Sequence, residues 1–185
     1  MKIYVTGLGV VSGIGLGVAE NIASLRKHQH GMGKVTLFPT ELDVPVSEVK
    51  YSNEELKRLL SLDIQKTFSR TALLGMLAAR EAVDDARLDL NTLRVGLISS
   101  TSVGGMDLSE HFYNAFKKDN RKGRLREVIS HDCGASTEMI ADYLKVNDFV
   151  TTISTACSSA ANAIMLGARM IRNGQLDAAI VGGTD

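Results

Sequence analysis

The feature that most constrains this chain is the alternation of short β-rich runs with longer helical segments. Residues 95–100 (VGLISS), 149–154 (FVTTIS) and 177–181 (DAAIV) are brief and largely apolar. Such runs suit strands with both faces covered. Between them the period changes to that of helices. In residues 63–86 the apolar positions Phe68, Ala72, Leu73, Met76, Leu77, Ala79 and Val83 wrap most of the circumference, which predicts one long helix buried on several sides. Residues 106–118 read as a polar-faced helix, and 136–145 as a helix capped by Ser136. Residues 158–173 read as a nearly all-apolar helix, with Arg169 and Arg172 in its last turns and Gly174 just past its end. Shorter helices are expected at 18–27 and at 53–60, the latter capped by Ser52 or Asn53. A first strand is expected at 2–6 (KIYVT), before a glycine-rich loop over 7–17; residues 28–49, which hold both prolines, read as loop. Strands alternating with helices predict an α/β domain over residues 1–185, with a mostly parallel sheet flanked by helices.

Composition excludes several functions. Lys plus Arg equal Asp plus Glu at 21 each, so the basic excess of a nucleic-acid binder is missing. Two cysteines cannot build a disulfide framework, which points to a reducing, cytoplasmic setting. The apolar start superficially resembles a signal peptide, but Gly7, Gly9, Gly13, Gly15 and Gly17 interrupt it. No other run is long and apolar enough to span a bilayer, so no membrane partner is expected. Gly7-Leu8-Gly9-Val10-Val11-Ser12-Gly13 sets its third glycine one residue late for a dinucleotide fingerprint, and no acidic residue follows on a second strand. Cys133 lies near His131 without further metal ligands at workable spacing. No cofactor and no metal are therefore expected.

The segment richest in chemistry is Ile153-Ser154-Thr155-Ala156-Cys157-Ser158-Ser159-Ala160. A strand ends, the chain turns sharply, and a helix begins at the cysteine. A nucleophile held at a strand-to-helix junction has this arrangement. The amides of a helix N-terminus favour a thiolate and can also donate to the oxyanion formed when sulfur attacks an acyl carbonyl. Small neighbours leave room for an acyl group. From spacing alone, a small buried hydrophobe is an equally good account of Cys157.

Thr155-Ala156-Cys157-Ser158-Ser159 and its small-residue helix resemble the nucleophile motif of the elongating β-ketoacyl-acyl-carrier-protein synthases and polyketide ketosynthases. Three other stretches agree in order and spacing. Val5-Thr6-Gly7-Leu8-Gly9-Val10-Val11-Ser12 is similar to the family's opening strand and loop. Ser102-Val103-Gly104-Gly105 resembles its glycine turn beside the acyl pocket. Ala179-Ile180-Val181-Gly182-Gly183-Thr184-Asp185 resembles the strand after the nucleophile helix.

The resemblance implies a thiolase-like fold, of which this chain is the N-terminal half. It implies that Cys157 takes an acyl chain as a thioester from an acyl carrier protein. Decarboxylation of a malonyl carrier then supplies the carbanion for carbon–carbon bond formation. Val103 would be the acyl-pocket wall by position, although a packed core valine fits the sequence equally. The family's assisting histidines and lysine belong to its second half, and none of His28, His30, His111 and His131 lies in a matching motif. The chain alone is therefore expected not to condense. Carrier docking would involve Lys66, near the start of the long helix, and the basic run 117–126 with its six Lys and Arg residues; solvated surface accounts for both as well. A homodimer is implied, pairing through the strand at 149–154. The competing reading is a non-catalytic ketosynthase-like subunit or interaction module; the presence of the sulfur argues against the chain-length-factor relatives that lack it.

Overall fold

The computed structural model describes residues 2–185. Its elements in the first half of the chain are β1 (Val11–Ser12), β2 (Gly15–Leu16), α1 (Val18–Arg26), β3 (Met32–Gly33), β4 (Val46–Ser47), α2 (Asn53–Leu59) and α3 (Arg70–Ala86). Then follow β5 (Val95–Ser100), α4 (Met106–Lys118), α5 (Leu125–Ile129), α6 (Cys133–Leu144), β6 (Phe149–Ile153), α7 (Ser159–Arg172) and β7 (Ala178–Val181).

The main sheet is parallel and three-stranded, in the order β6-β5-β7. Every residue of the central strand β5 is buried. Val95 and Leu97 pack with Leu73, Met76 and Ile140 of α3 and α6, whereas Ile98 packs with Ala163 and Met170 of α7. Three layers result: α3 with α6, the sheet, and α7. An apolar run without alternation suits a strand covered on both faces. Ser100 sits opposite Ile153 and Ile98 opposite Val181, so the C-terminal ends of all three strands lie side by side.

Caps set the helix starts and correct two expectations. Ser52 and Glu55 form a reciprocal capping box on α2. The long helix begins at Arg70 rather than residue 63, because the buried Ser69 hydroxyl accepts from the Ala72 amide at 3.2 Å and sends residues 63–69 into turns. Lys66 therefore stands on a turn, not on a helix. The helix expected from Ser136 begins at Cys133, because Asp132 Oδ1 accepts from the Gly134 amide at 2.6 Å. Ser136 lies inside that helix, buried, and donates to the Cys133 carbonyl at 3.1 Å. The basic run 117–126 runs into the short helix α5, which the sequence pattern does not announce.

The strand expected at residues 2–6 pairs with no other strand among the described residues. The chain after it lies on α3 instead. Gly7 and Gly9 rest on the row Ala78, Ala82 and Ala86; a Cβ on Gly9 would stand 1.8 Å from the Ala78 carbonyl oxygen. The amides find carboxylates where a ladder would offer carbonyls. Leu8 N donates to Asp85 Oδ2 at 3.0 Å, Val10 N to Glu81 Oε2 at 3.0 Å and Val18 N to Glu81 Oε1 at 2.7 Å. Two helix side chains thus satisfy backbone groups that must be paired somewhere. Tyr4 and Val5 remain exposed.

Polar side chains also align the strand entrances. Asp148 Oδ2 accepts from Val95 N at 2.8 Å, and the exposed Asp177 accepts from both the Arg94 amide and its guanidinium at 2.9 and 2.7 Å. The hydrogen bond from the Arg94 side chain is the main reason that the Asp177 carboxyl is pulled down to about 2. Among the described residues no helix is long and apolar enough to cross a membrane.

Two outcomes follow from these contacts. Gly9→Ala should speed amide exchange at Leu8 and Val10 and lower stability by about 1–3 kcal/mol in chemical denaturation, whereas Gly182→Ala, where an added Cβ meets nothing within 4 Å, should be near neutral. Asp177 stabilises the fold above its ordinary value of 3.8, and this contribution is lost as pH falls from there toward about 2. Asp177→Asn should therefore flatten the stability profile across that acid interval, measured by unfolding midpoint against pH.

Candidate active site

The turn joining β6 to α7 is strained and tightly bonded. Ala156 has φ +52°, in the left-handed region that a residue with a Cβ seldom occupies. Hydrogen bonds from the first turn of α7 hold it there. Ser159 Oγ, buried, accepts from Thr155 N at 2.8 Å and donates to the Ala156 carbonyl at 2.6 Å. Ser158 Oγ donates to the Thr155 carbonyl at 2.8 Å, and Asn162 Nδ2 donates to Thr155 Oγ1 at 2.9 Å.

This turn presents Cys157 to solvent. The helix starts one residue later than the expected 158: Ser158 is its N-cap and Ser159 its first residue. Because the Ser158 hydroxyl turns back to Thr155, no side chain caps α7 among the described residues. An uncapped N-terminus keeps its positive end available to an anion. Cys157 is therefore an exposed thiol two residues before the helix, not the buried small hydrophobe that spacing alone left open. Cys133 is only partly exposed.

Val103 lies on the turn that leaves β5 at the same end of the sheet. Thr101 N donates to the Ile153 carbonyl at 3.3 Å, which ties this turn to the end of β6. Val103 itself is half-buried, while Gly104 and Gly105 behind it are buried. A Cβ on Gly105 would stand 1.9 Å from the Ser130 carbonyl oxygen, so α5 seats this turn closely. The loop after β7 closes the third side: Thr184 N donates to the Ser100 carbonyl at 2.9 Å, and a Cβ on Gly183 would be 3.2 Å from that of Ala160.

The histidines lie elsewhere. His111 Nδ1 is 3.2 Å from Glu127 Oε2, and His131 Nδ1 is 3.0 Å from Ser109 Oγ. His28 and His30 line a separate groove with Ser24 and Gln29. Among the described residues none of the four is hydrogen-bonded to Cys157.

A second groove, of about 560 Å³, gathers residues that the sequence kept apart. Leu62, Phe68, Met139 and Tyr143 give it apolar lining, and Lys66 and Arg126 give it positive charge, with Asp142 as its one carboxylate. Lys57 braces the Lys66 turn by donating to the carbonyls of Ile64 and Lys66 at 3.1 and 2.7 Å. Most of the basic run stays outside this groove, and Asp119 pairs with Arg121 and Lys122 instead. Arg126 was named in the sequence only as part of the basic run 117–126; Ser159, Asn162 and Thr101 were not singled out as supports. Only Ser159 had a local signal, a hydroxyl four residues after Thr155 at a helix start.

With this geometry the comparisons agree. The model of the β-ketoacyl synthase N-terminal domain matches residues 1–185, and the chain belongs to that family. It is 28% identical to 3-oxoacyl-[acyl-carrier-protein] synthase 2 of Staphylococcus aureus (strain MRSA252), over 100% of this chain and 46% of that protein. It is 27% identical to Nodulation protein E of Rhizobium sp. (strain N33), with the same coverage. Among solved structures, the ishigamide ketosynthase/chain length factor superposes with a TM-score of 0.87 at 30% identity, over 98% of this chain and 46% of that one. The fold is therefore thiolase-like, and the chain spans about half the length of the curated relatives it matches.

Ser159→Ala should leave the Thr155 amide without its partner, while the Ala156 carbonyl keeps the Ser159 amide at 3.0 Å. We expect a loss of about 1–3 kcal/mol in stability, together with a changed alkylation rate at Cys157, read by denaturation and by peptide mass mapping.

Proposed function

We propose that this chain supplies the nucleophile half of an elongating β-ketoacyl-acyl-carrier-protein synthase. The observation that carries the reading is Cys157, exposed on a left-handed turn ahead of an uncapped helix. In this account the Cys157 thiolate attacks the carbonyl of an acyl thioester on a carrier protein. The tetrahedral oxyanion is met by amides at the start of α7 and collapses by breaking the carbon–sulfur bond to the carrier, whose thiolate takes up from solvent the proton that Cys157 released. The acyl chain then lies along Val103. The second stage, decarboxylation of a malonyl carrier and attack of its carbanion on the Cys157 thioester, needs acid–base groups that the four histidines here do not provide. This stage belongs to residues outside the chain.

The groove lined by Lys66 and Arg126 is read as the carrier-docking surface. Its two cations complement an acidic carrier, and its apolar lining suits the amphipathic helix of a docking partner. The outer side of β6 has no strand neighbour among the described residues, so this edge is read as the place where a second ketosynthase chain continues the sheet. Ile164 and Met165 of α7 are exposed on the nucleophile helix, and we assign that face to the remainder of the enzyme.

A second reading, a non-catalytic partner subunit, draws on the solved complexes of ketosynthases with chain length factors. The retained thiol favours the catalytic one. Iodoacetamide at neutral pH should label Cys157 several-fold faster than Cys133, and Cys157→Ser should remove that labelling. Equal, slow labelling of both thiols favours the partner-subunit reading. The purified chain should not convert malonyl carrier to a condensed product, and robust turnover would contradict the division of labour proposed here.

A further inference from the structure

Thr101 sits where the three strand ends meet, and its hydroxyl acts on the turn that carries Val103. It is 1% exposed. Its backbone amide donates to the Ile153 carbonyl at the end of β6, four residues before Cys157. Its hydroxyl donates to Asp185 Oδ1 at 2.7 Å and accepts from the amides of Val103 at 3.2 Å and Gly104 at 3.1 Å. Asp185 Oδ1 also accepts from Ser102 N at 2.7 Å. One carboxylate and one hydroxyl thus organise three consecutive amides, at residues 102, 103 and 104.

The direction of these bonds matters. A hydroxyl has one proton, and giving it to Asp185 leaves the oxygen lone pairs facing Val103 N and Gly104 N. Without the carboxylate the hydroxyl rotor is undetermined, and its acceptor side is no longer committed to the turn. Gly104 adopts φ +55° in this turn and packs against the carbonyls of His131 and Asp132, so the backbone has little room for another shape.

We propose that Thr101, oriented by Asp185, is a positioning residue that sets the Val103 turn and thereby the chain-length preference of the thiol at Cys157. The proposal rests on the reading of Val103 as the acyl wall. Thr101 does not touch the acyl chain in this account; it acts through the two amides that its oxygen holds.

The test uses iodoacetamide and its N-butyl, N-octyl and N-dodecyl derivatives on the full 185-residue chain. In each reaction the Cys157 sulfur displaces iodide and forms a thioether, quantified by peptide mass spectrometry. The readout is the ratio of long-chain to unsubstituted rates, which a general loss of stability does not alter in a chain-length-dependent way. Val103→Ala should change this ratio. Thr101→Val should change it by about tenfold, the equivalent of one lost buried hydrogen-bond centre, and Thr101→Ser should restore it. Asp185→Ala should move it in the same direction and decides the matter if Thr101→Val does not fold. If Val103→Ala shifts the ratio while Thr101→Val and Asp185→Ala leave it unchanged, the positioning role is overturned and the wall reading stands. If Val103→Ala itself has no effect, the wall reading falls and the proposal falls with it.

Discussion

The structure depends on the burial of β5 between two helical layers. Its side chains alternate between the α3–α6 core and the α7 core, so it cannot slip by one residue without exchanging its two apolar faces. Both neighbours take their register from it. Parallel pairing with β6 and β7 brings three strand ends to one edge, and the three turns that leave them are the Val103 turn, the Cys157 turn and the Gly183 loop. In open parallel sheets ligands bind beyond the carboxyl ends of the strands, where successive turns converge. Here the convergence is made by backbone bonds between the turns, Thr101 to Ile153 and Thr184 to Ser100.

Strain at the turn before Cys157 has a local and a distant support. Serine and asparagine side chains of α7 hold the left-handed Ala156 from one side. Gly183 permits the loop after β7 to approach Ala160 from the other. An unusual backbone conformation persists only where surrounding structure over-determines it. The same residues leave the helix N-terminus without a side-chain cap, while the amides of Ser158 and Ser159 donate back to the carbonyls of Thr155 and Ala156 and tighten the turn.

Much of this was legible in the sequence because the signals were local. The 95–100 and 149–153 strands, the 106–118 helix and the position of Cys157 at a strand-to-helix junction follow from short apolar runs, periodicity and small residues in a row. Two helix starts were misplaced because a buried hydroxyl at Ser69 and a carboxylate at Asp132 outweighed the hydrophobic period. The opening run KIYVT has strand composition, yet it has no strand neighbour among the described residues, and the chain after it is held by Glu81 and Asp85, more than 70 residues away along the chain. Long-range polar bonds of this kind leave no pattern in a single sequence. The bond between Thr101 and Asp185, separated by 84 positions, is hidden for the same reason. The groove proposed for docking was half legible: Lys66 and the basic run 117–126 could be named, but only folding brings Arg126 of that run to the groove beside Lys66.

Acceptance of acyl groups by the sulfur of residue 157 is the proposal on which the functional reading turns. The most direct measurement incubates the purified chain with an octanoyl-carrier-protein thioester and maps the modified peptide by mass. A slowly accumulating octanoyl adduct is expected on Cys157, released by neutral hydroxylamine as a thioester should be, with Cys133 unmodified. An unmodified Cys157, or equal acylation of both cysteines, would contradict it.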